Sequence, residues 1–205
     1  MKYSKVPRKV LLAITNQCNL HCDYCFVDQQ APEMSLDILK NLLQEMATFK
    51  VYRVVVSGGE PLLKPERLQI FKQYSFPQLT LRTNGTLLTS TTLEIIKEID
   101  FYNIVVSLDG DRAQVHNKHR SHFKETLRSI KILLENKIQI DIGIVVTTDN
   151  LDYISRMTDF FYRLGVNSIN YQLMTPYNPK NDHLVLNKNQ QKQLKNNYRK
   201  SKEIQ

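Results

Sequence analysis

Three thiols fall within eight residues of this sequence, Cys18, Cys22 and Cys25, and the remainder of its 205 residues holds no other cysteine. A secreted disulfide scaffold spreads an even number of cysteines along the chain. A tight cluster in the pattern C-x3-C-x2-C reads instead as a set of metal ligands in a reducing compartment. Soft sulfur ligands suit an iron–sulfur cluster or zinc. A structural zinc needs a fourth ligand. His21 and His116 are the candidates, although His21 sits awkwardly between two of the thiols. A four-iron cluster normally takes four thiolates. With three, one iron keeps an open position, and open positions are where metal chemistry happens.

Such a loop needs a scaffold that delivers it to a ligand-binding rim. Short runs rich in Val and Ile recur at Val10–Thr15, Val51–Ser57, Gln78–Arg82, Ile104–Leu108, Ile138–Val146 and Ser168–Met174. They are mostly continuous rather than alternating, as strands buried on both faces of a parallel sheet are. Amphipathic stretches lie between them. Ser35 is placed to cap a helix carrying Leu36, Leu39, Leu43 and Met46. Pro65 suits a first helical turn ahead of Leu68 and Phe71. Thr89–Ile99 brings Leu93 and Ile96 together, and Phe123, Leu127, Ile130 and Leu134 form a stripe. Asn150 is expected to cap a helix that Gly165 ends.

Six β–α units define an α/β fold with parallel strands. They are too few for a closed eight-stranded barrel and fit a partial (β/α)6 TIM-like barrel or a doubly wound sheet. In either case the active site lies at the C-terminal ends of the strands. Four of the six glycines fall there: Gly58 and Gly59 after the second strand, Gly85 after the third and Gly110 after the fourth. Glycine at such a rim permits unusual backbone angles or a close backbone approach.

The segment Cys18-x3-Cys22-x-Tyr24-Cys25 resembles the signature of the radical S-adenosylmethionine superfamily, including the aromatic residue before the last cysteine. Gly58-Gly59-Glu60-Pro61 resembles that superfamily's second motif. Ser107-Leu108-Asp109-Gly110, with His116 and Arg120 beyond it, is similar to the peptide- and protein-modifying members. The likeness runs from about Val10 to Met174. It implies a [4Fe-4S] cluster on Cys18, Cys22 and Cys25 whose open iron chelates S-adenosyl-L-methionine. Reductive cleavage of that cofactor then yields a 5′-deoxyadenosyl radical that abstracts hydrogen from a substrate. Gly58, Gly59 and Glu60 would hold the methionyl ammonium, and Ser107 and Arg120 its carboxylate. Tyr24 and Met174 would face the adenine, and Thr83, Asn84 and Asp109 the ribose or substrate. The resemblance also implies a peptide or protein substrate and an electron donor such as flavodoxin or ferredoxin.

The net charge of +8 first looks like a nucleic-acid signature, but from Thr175 to Gln205 there are seven basic and two acidic residues, so +5 of it lies in the tail. The expected division is a core domain over 1–175 and a basic, polar tail over 176–205 with a helix at Asn187–Ile204. Pro176–Pro179 and that helix resemble the start of the extension in which many peptide-modifying members carry auxiliary clusters. With no cysteine outside the motif, one cluster is expected on this chain. No run approaches 18 apolar residues, which excludes a transmembrane helix, and a cytoplasmic enzyme is expected. Two other classes fit parts of the pattern. A non-catalytic iron–sulfur or zinc accessory module has no need of the glycine pair and Glu60. A nucleic-acid-modifying member of the same superfamily would use the basic tail, which lacks aromatic residues for base stacking apart from Tyr198.

Overall fold

The computed structural model describes residues 6–202, so the last residues of the helix expected at Asn187–Ile204 lie outside the described residues. Six strands are present among the described residues: β1 (Lys9–Ala13), β2 (Arg53–Ser57), β3 (Gln78–Thr83), β4 (Asn103–Ser107), β5 (Ile140–Val146) and β6 (Ser168–Leu173). They follow sequence order in the sheet. That order has no reversal and so differs from a doubly wound sheet. Pairing is parallel, with Leu12 opposite Val56, Val55 opposite Thr80 and Ile144 opposite Tyr171. The helices are α1 (Leu36–Thr48), α2 (Pro65–Gln69), α3 (Ser90–Glu98), α4 (Ala113–His116), α5 (Phe123–Glu135), α6 (Ile154–Leu164) and α7 (Lys188–Lys202).

The chain divides into two compact units. One comprises the residues up to Asn19 with Val27–Val105, and the other Leu20–Phe26 with the residues from Val106 onward. In the first unit, the continuous apolar run predicted for β2 is matched by burial of Val54, Val55 and Val56. Ser35 caps α1, its side chain accepting from the Ile38 N–H, and Leu39, Leu43 and Met46 are buried. Leu36 departs from the predicted face and is 40% exposed. Thr89 caps α3 and exchanges reciprocal hydrogen bonds with Thr92, a capping box.

In the second unit β5 alternates, with Ile140, Ile142, Ile144 and Val146 buried and the residues between them half-buried. The expectation of continuous burial does not hold there, and β6 is largely exposed. The buried face of α5 is Phe123, Thr126, Ile130 and Leu133, shifted from the expected stripe so that Leu127 and Leu134 are half-buried. Gly165 ends α6 in the left-handed conformation, φ +86°. Asn150 does not cap α6; a 3-10 turn over Leu151–Tyr153 intervenes. Its side chain instead accepts from the Thr147 N–H at 2.9 Å and donates to the carbonyls of Val145, at 2.9 Å, and Asp109, at 3.2 Å. An amide that serves three backbone groups is worth more inside a loop than at a helix end.

Residues beyond Met174 join the second unit's core. Leu184 packs with Tyr24 and Met174, and its carbonyl accepts from the Thr148 N–H at 3.1 Å. The polar helix α7 is tied to the turn before α6 by Gln193, whose amide donates to Asp152 at 2.7 Å. Deleting 188–205 should remove the Gln193–Asp152 and Gln191–Leu186 hydrogen bonds and the half-buried Leu194, at a cost of about 1–3 kcal/mol, read as a shift in urea midpoint. Deleting from Pro179 should also remove Leu184 and Leu186 and cost several times more.

Candidate active site

In the first unit the glycine pair is a point of backbone-on-backbone contact. Gly58 has φ +141°, and a Cβ there would lie 2.2 Å from the Thr15 carbonyl oxygen. A Cβ on Gly59 would lie 2.1 Å from the Gln17 oxygen and 2.7 Å from that of Asn16. The Gly59 N–H donates to the Thr15 carbonyl at 2.7 Å and the Glu60 N–H to that of Gln17 at 2.8 Å. The close approach expected of these glycines is made to the chain's own strand leading into Cys18.

The same segment, Ile14–Gln17, is also gripped by two residues that no motif singles out. Glu33 Oε1 accepts from the Thr15 hydroxyl and the Asn16 N–H, each at 2.8 Å, and from the Gln17 N–H at 3.3 Å. Despite the desolvation that opposes it, these bonds and Arg67 hold the Glu33 carboxyl below the usual carboxylate range. Arg67 is buried, bonds the Ile14 carbonyl at 2.8 Å and lies 3.4 Å from Glu33 Oε2. Neither lies in a motif, and neither breaks a hydrophobic period.

Glu60 is fully buried. Its Oε1 accepts from the Thr83 hydroxyl at 2.7 Å and the Leu62 N–H at 2.9 Å, and its Oε2 from the Asn84 N–H at 2.7 Å. The Thr83 oxygen accepts from the Gly85 N–H at 3.0 Å, so its own proton goes to Glu60. Every partner donates, which suits an ionised carboxylate, although burial pushes the group's pKa up. The side chain expected to grip an ammonium thus fastens the loop after β2 to the loop after β3. Asn84, at the end of that tie, donates through Nδ2 to Cys18 Sγ at 3.8 Å and to Asn19 Oδ1 at 3.0 Å.

In the second unit Tyr24, Asp109, Arg120, Met174 and Cys22 come together. The Tyr24 hydroxyl donates to Asp109 Oδ2. Arg120 Nε donates to the same oxygen at 2.5 Å, and the Val145 N–H donates to Oδ1 at 2.7 Å. The guanidinium stands 5.3 Å from the Tyr24 ring centroid, and Nη1 lies 3.8 Å from Cys22 Sγ. Burial, and then the Asp109 charge, push the Tyr24 hydroxyl well above its ordinary pKa. Desolvation opposes the Arg120 charge, but the carboxylate outweighs it and raises the group further. Ser107 ends β4 half-buried, and Cys25 is exposed, its N–H closing a turn onto the Cys22 carbonyl at 3.0 Å. Among the described residues no group of three or more His, Cys, Asp and Glu side chains is arranged to hold a metal ion.

His116 has a defined protonation. Its Nδ1 accepts from the Asp109 N–H at 3.1 Å, so Nε2 carries the proton and donates to the Ser121 carbonyl at 2.9 Å. Burial lowers its pKa to about 4, with Asp109 opposing and Arg120 and His122 assisting. The folded value lies below the unfolded one of about 6.5. The contribution is therefore complete above pH 6.5 and lost as pH falls toward 4, on the order of 3 kcal/mol in total. In His116→Asn, whose Oδ1 can replace the Nδ1 acceptor, urea denaturation between pH 4 and 7 should show a shallower acid limb than in the parent. Parallel limbs would contradict the neutral assignment. Nearby, His119 bridges Asp23 and Asp149, each at 2.9 Å, a tie the sequence did not reveal.

A parallel α/β fold with a three-thiol loop after β1, a glycine pair after β2 and a buried Asp–Arg pair beyond β4 defines the class. Residues 12–161 match the profile of the radical SAM superfamily, to which the chain belongs. It is 29% identical to the AdoMet-dependent heme synthase of Methanosarcina barkeri over 84% of this chain and 52% of that protein. It is 27% identical to the antilisterial bacteriocin subtilosin biosynthesis protein AlbA of Bacillus subtilis, over 81% of this chain and 39% of that one. Streptococcus suis SuiB bound to S-adenosylmethionine shares the fold, with a TM-score of 0.81 at 17% identity over 94% of this chain and 47% of that one. The chain thus spans about half the length of these relatives or less. Among the described residues no helix is long and apolar enough to cross a membrane.

Proposed function

We propose that the chain is the core of an enzyme that holds one [4Fe-4S] cluster on Cys18, Cys22 and Cys25, binds S-adenosyl-L-methionine and starts radical chemistry on a peptide or protein. The observation that carries this is the cysteine motif within a span matching the superfamily. The donor chemistry fits. An amide N–H is directed at the Cys18 sulfur and a guanidinium at that of Cys22, as thiolate ligands require. The cluster and S-adenosylmethionine would supply reductive cleavage of the sulfonium and abstraction of a substrate hydrogen.

The chain's own residues then bind, orient and exclude water. The Gly58 and Gly59 backbone is the proposed acceptor of the methionyl ammonium, with Glu60 as the brace behind it, and Ser107 and Arg120 address the carboxylate. Tyr24 and Met174, buried together with Leu184, form an apolar wall suited to a purine. Thr83 and Asn84 brace the loops after β2 and β3 through Glu60, and Asp109 braces the segment after β4 through Arg120 and the Val145 N–H. A peptide substrate is supported by the relatives: AlbA is a bacteriocin biosynthesis protein, and SuiB has been solved bound to its precursor peptide SuiA. The electron would come from a flavodoxin or ferredoxin.

The test is anaerobic reconstitution followed by dithionite and S-adenosylmethionine, with 5′-deoxyadenosine measured by chromatography in the presence and absence of short peptides. Formation above the enzyme-free background, increased by one peptide class, is expected. Bound cluster without any 5′-deoxyadenosine would favour the accessory-module reading.

A further inference from the structure

Resting on that reading, we propose that Asn84 tunes the cluster by donating an N–H···S hydrogen bond to Cys18, and that its placement is set by Glu60 and Thr86. Asn84 is buried, and its side chain has no rotational freedom left. Nδ2 points at Cys18 Sγ, 3.8 Å away, and at Asn19 Oδ1, 3.0 Å away. Oδ1 accepts from the Thr86 N–H at 2.9 Å and the Thr86 hydroxyl at 2.7 Å. These two bonds identify the oxygen end of the amide, so the group facing the sulfur is the NH2 donor. The backbone is fixed as well, because the Asn84 N–H is held by the buried Glu60 carboxylate at 2.7 Å. Asn19 closes the arrangement by donating to the Thr86 hydroxyl at 2.8 Å.

A donor aimed at a ligand sulfur stabilises the electron-rich state more than the oxidised one, because the reduced cluster carries one more negative charge. Hydrogen bonds to the sulfurs are among the determinants of iron–sulfur potentials. Asn84 should therefore raise the potential and ease entry of one electron from the low-potential donor. It would do so without touching S-adenosylmethionine, a role distinct from the ribose or substrate contact expected from its place on the rim.

The experiment is an anaerobic redox titration of the reconstituted chain with dithionite, followed by electron paramagnetic resonance, for the parent and Asn84→Leu. Leucine keeps the shape and removes the donor. At a fixed potential the ratio of reduced to oxidised cluster should fall about tenfold, a shift of about 59 mV to lower potential for a one-electron couple. Thr86→Val, which removes one of the two bonds that orient the amide but keeps the donor, should give a smaller shift in the same direction. S-adenosylmethionine affinity of the oxidised cluster is measured on the same samples. An unchanged midpoint in Asn84→Leu with full iron content overturns the proposal. So does an unchanged midpoint together with weakened cofactor binding, which would return Asn84 to a ligand contact. If Asn84→Leu does not retain iron, Asn84→Ser carries the same comparison, its hydroxyl being too short to reach the sulfur. Failure of the parent chain to take up any iron would refute the cluster reading itself, a result separable from all of these.

Discussion

Gly59→Ala should be severely destabilising although it adds a single carbon. The new Cβ would lie 2.1 Å from the Gln17 carbonyl oxygen and 2.5 Å from its carbon. That carbonyl has little room to yield, because it accepts from the Glu60 N–H, while Glu33 holds the N–H groups of Asn16 and Gln17. The clash is with backbone on both sides, so relief requires pulling the cysteine loop off the second strand. A cost above about 3 kcal/mol is expected, beyond ordinary overpacking. For a domain of this size that is a fall in Tm of about 10 °C or more. Gly165→Ala is the control. Its φ of +86° also favours glycine, but nothing lies within 4 Å of the added carbon. It should cost about 1 kcal/mol, the left-handed penalty alone. Equal melting temperatures for the two variants would contradict the picture of a pressed backbone contact.

Asp109→Ala should have a comparable effect by a different route. It strips the buried Arg120 guanidinium of its carboxylate and leaves the Val145 N–H and the Tyr24 hydroxyl without their acceptor. Breaking one side of a buried ion pair costs about 3–5 kcal/mol. Removing both sides together is far milder when the replacements fill the space. Asp109→Leu combined with Arg120→Met should therefore be more stable than Asp109→Ala alone, measured by urea denaturation at pH 7. A double variant as unstable as the sum of the single ones would show that the two residues act independently.

The fold was legible in the sequence because buried parallel strands leave apolar runs that survive without an alignment. The runs Val51–Ser57 and Ile104–Leu108 became β2 (Arg53–Ser57) and β4 (Asn103–Ser107), with C-terminal ends within one residue of where the pattern stopped. Caps with a local mechanism were legible too: Ser35 and Gly165 act through bonds to residues within four positions. What escaped was nonlocal. Asn150 has the composition of a cap, but its amide is used across three loop carbonyls and N–H groups. Glu33 and Arg67 form an internal ion pair 34 positions apart that no periodicity announces. The motif residues were found, yet their partners were not. The resemblance places Glu60 and Asp109 at the ligand rim, and the structure adds two or more donors to each within its own unit. Part of what the superfamily motifs encode is thus the rigidity of the loops that carry Cys18 and the glycine pair.

The central claim is that Cys18, Cys22 and Cys25 hold a cubane with one iron left open for S-adenosylmethionine. The most direct measurement is the electron paramagnetic resonance spectrum of the anaerobically reconstituted, dithionite-reduced chain, recorded before and after addition of S-adenosylmethionine, with iron counted on the same sample. About four irons per chain are expected, with a reduced-cluster signal whose shape changes when the cofactor is added and with loss of both in Cys22→Ala. Stoichiometric zinc without iron uptake, or a cluster signal that S-adenosylmethionine leaves unaltered, would contradict it.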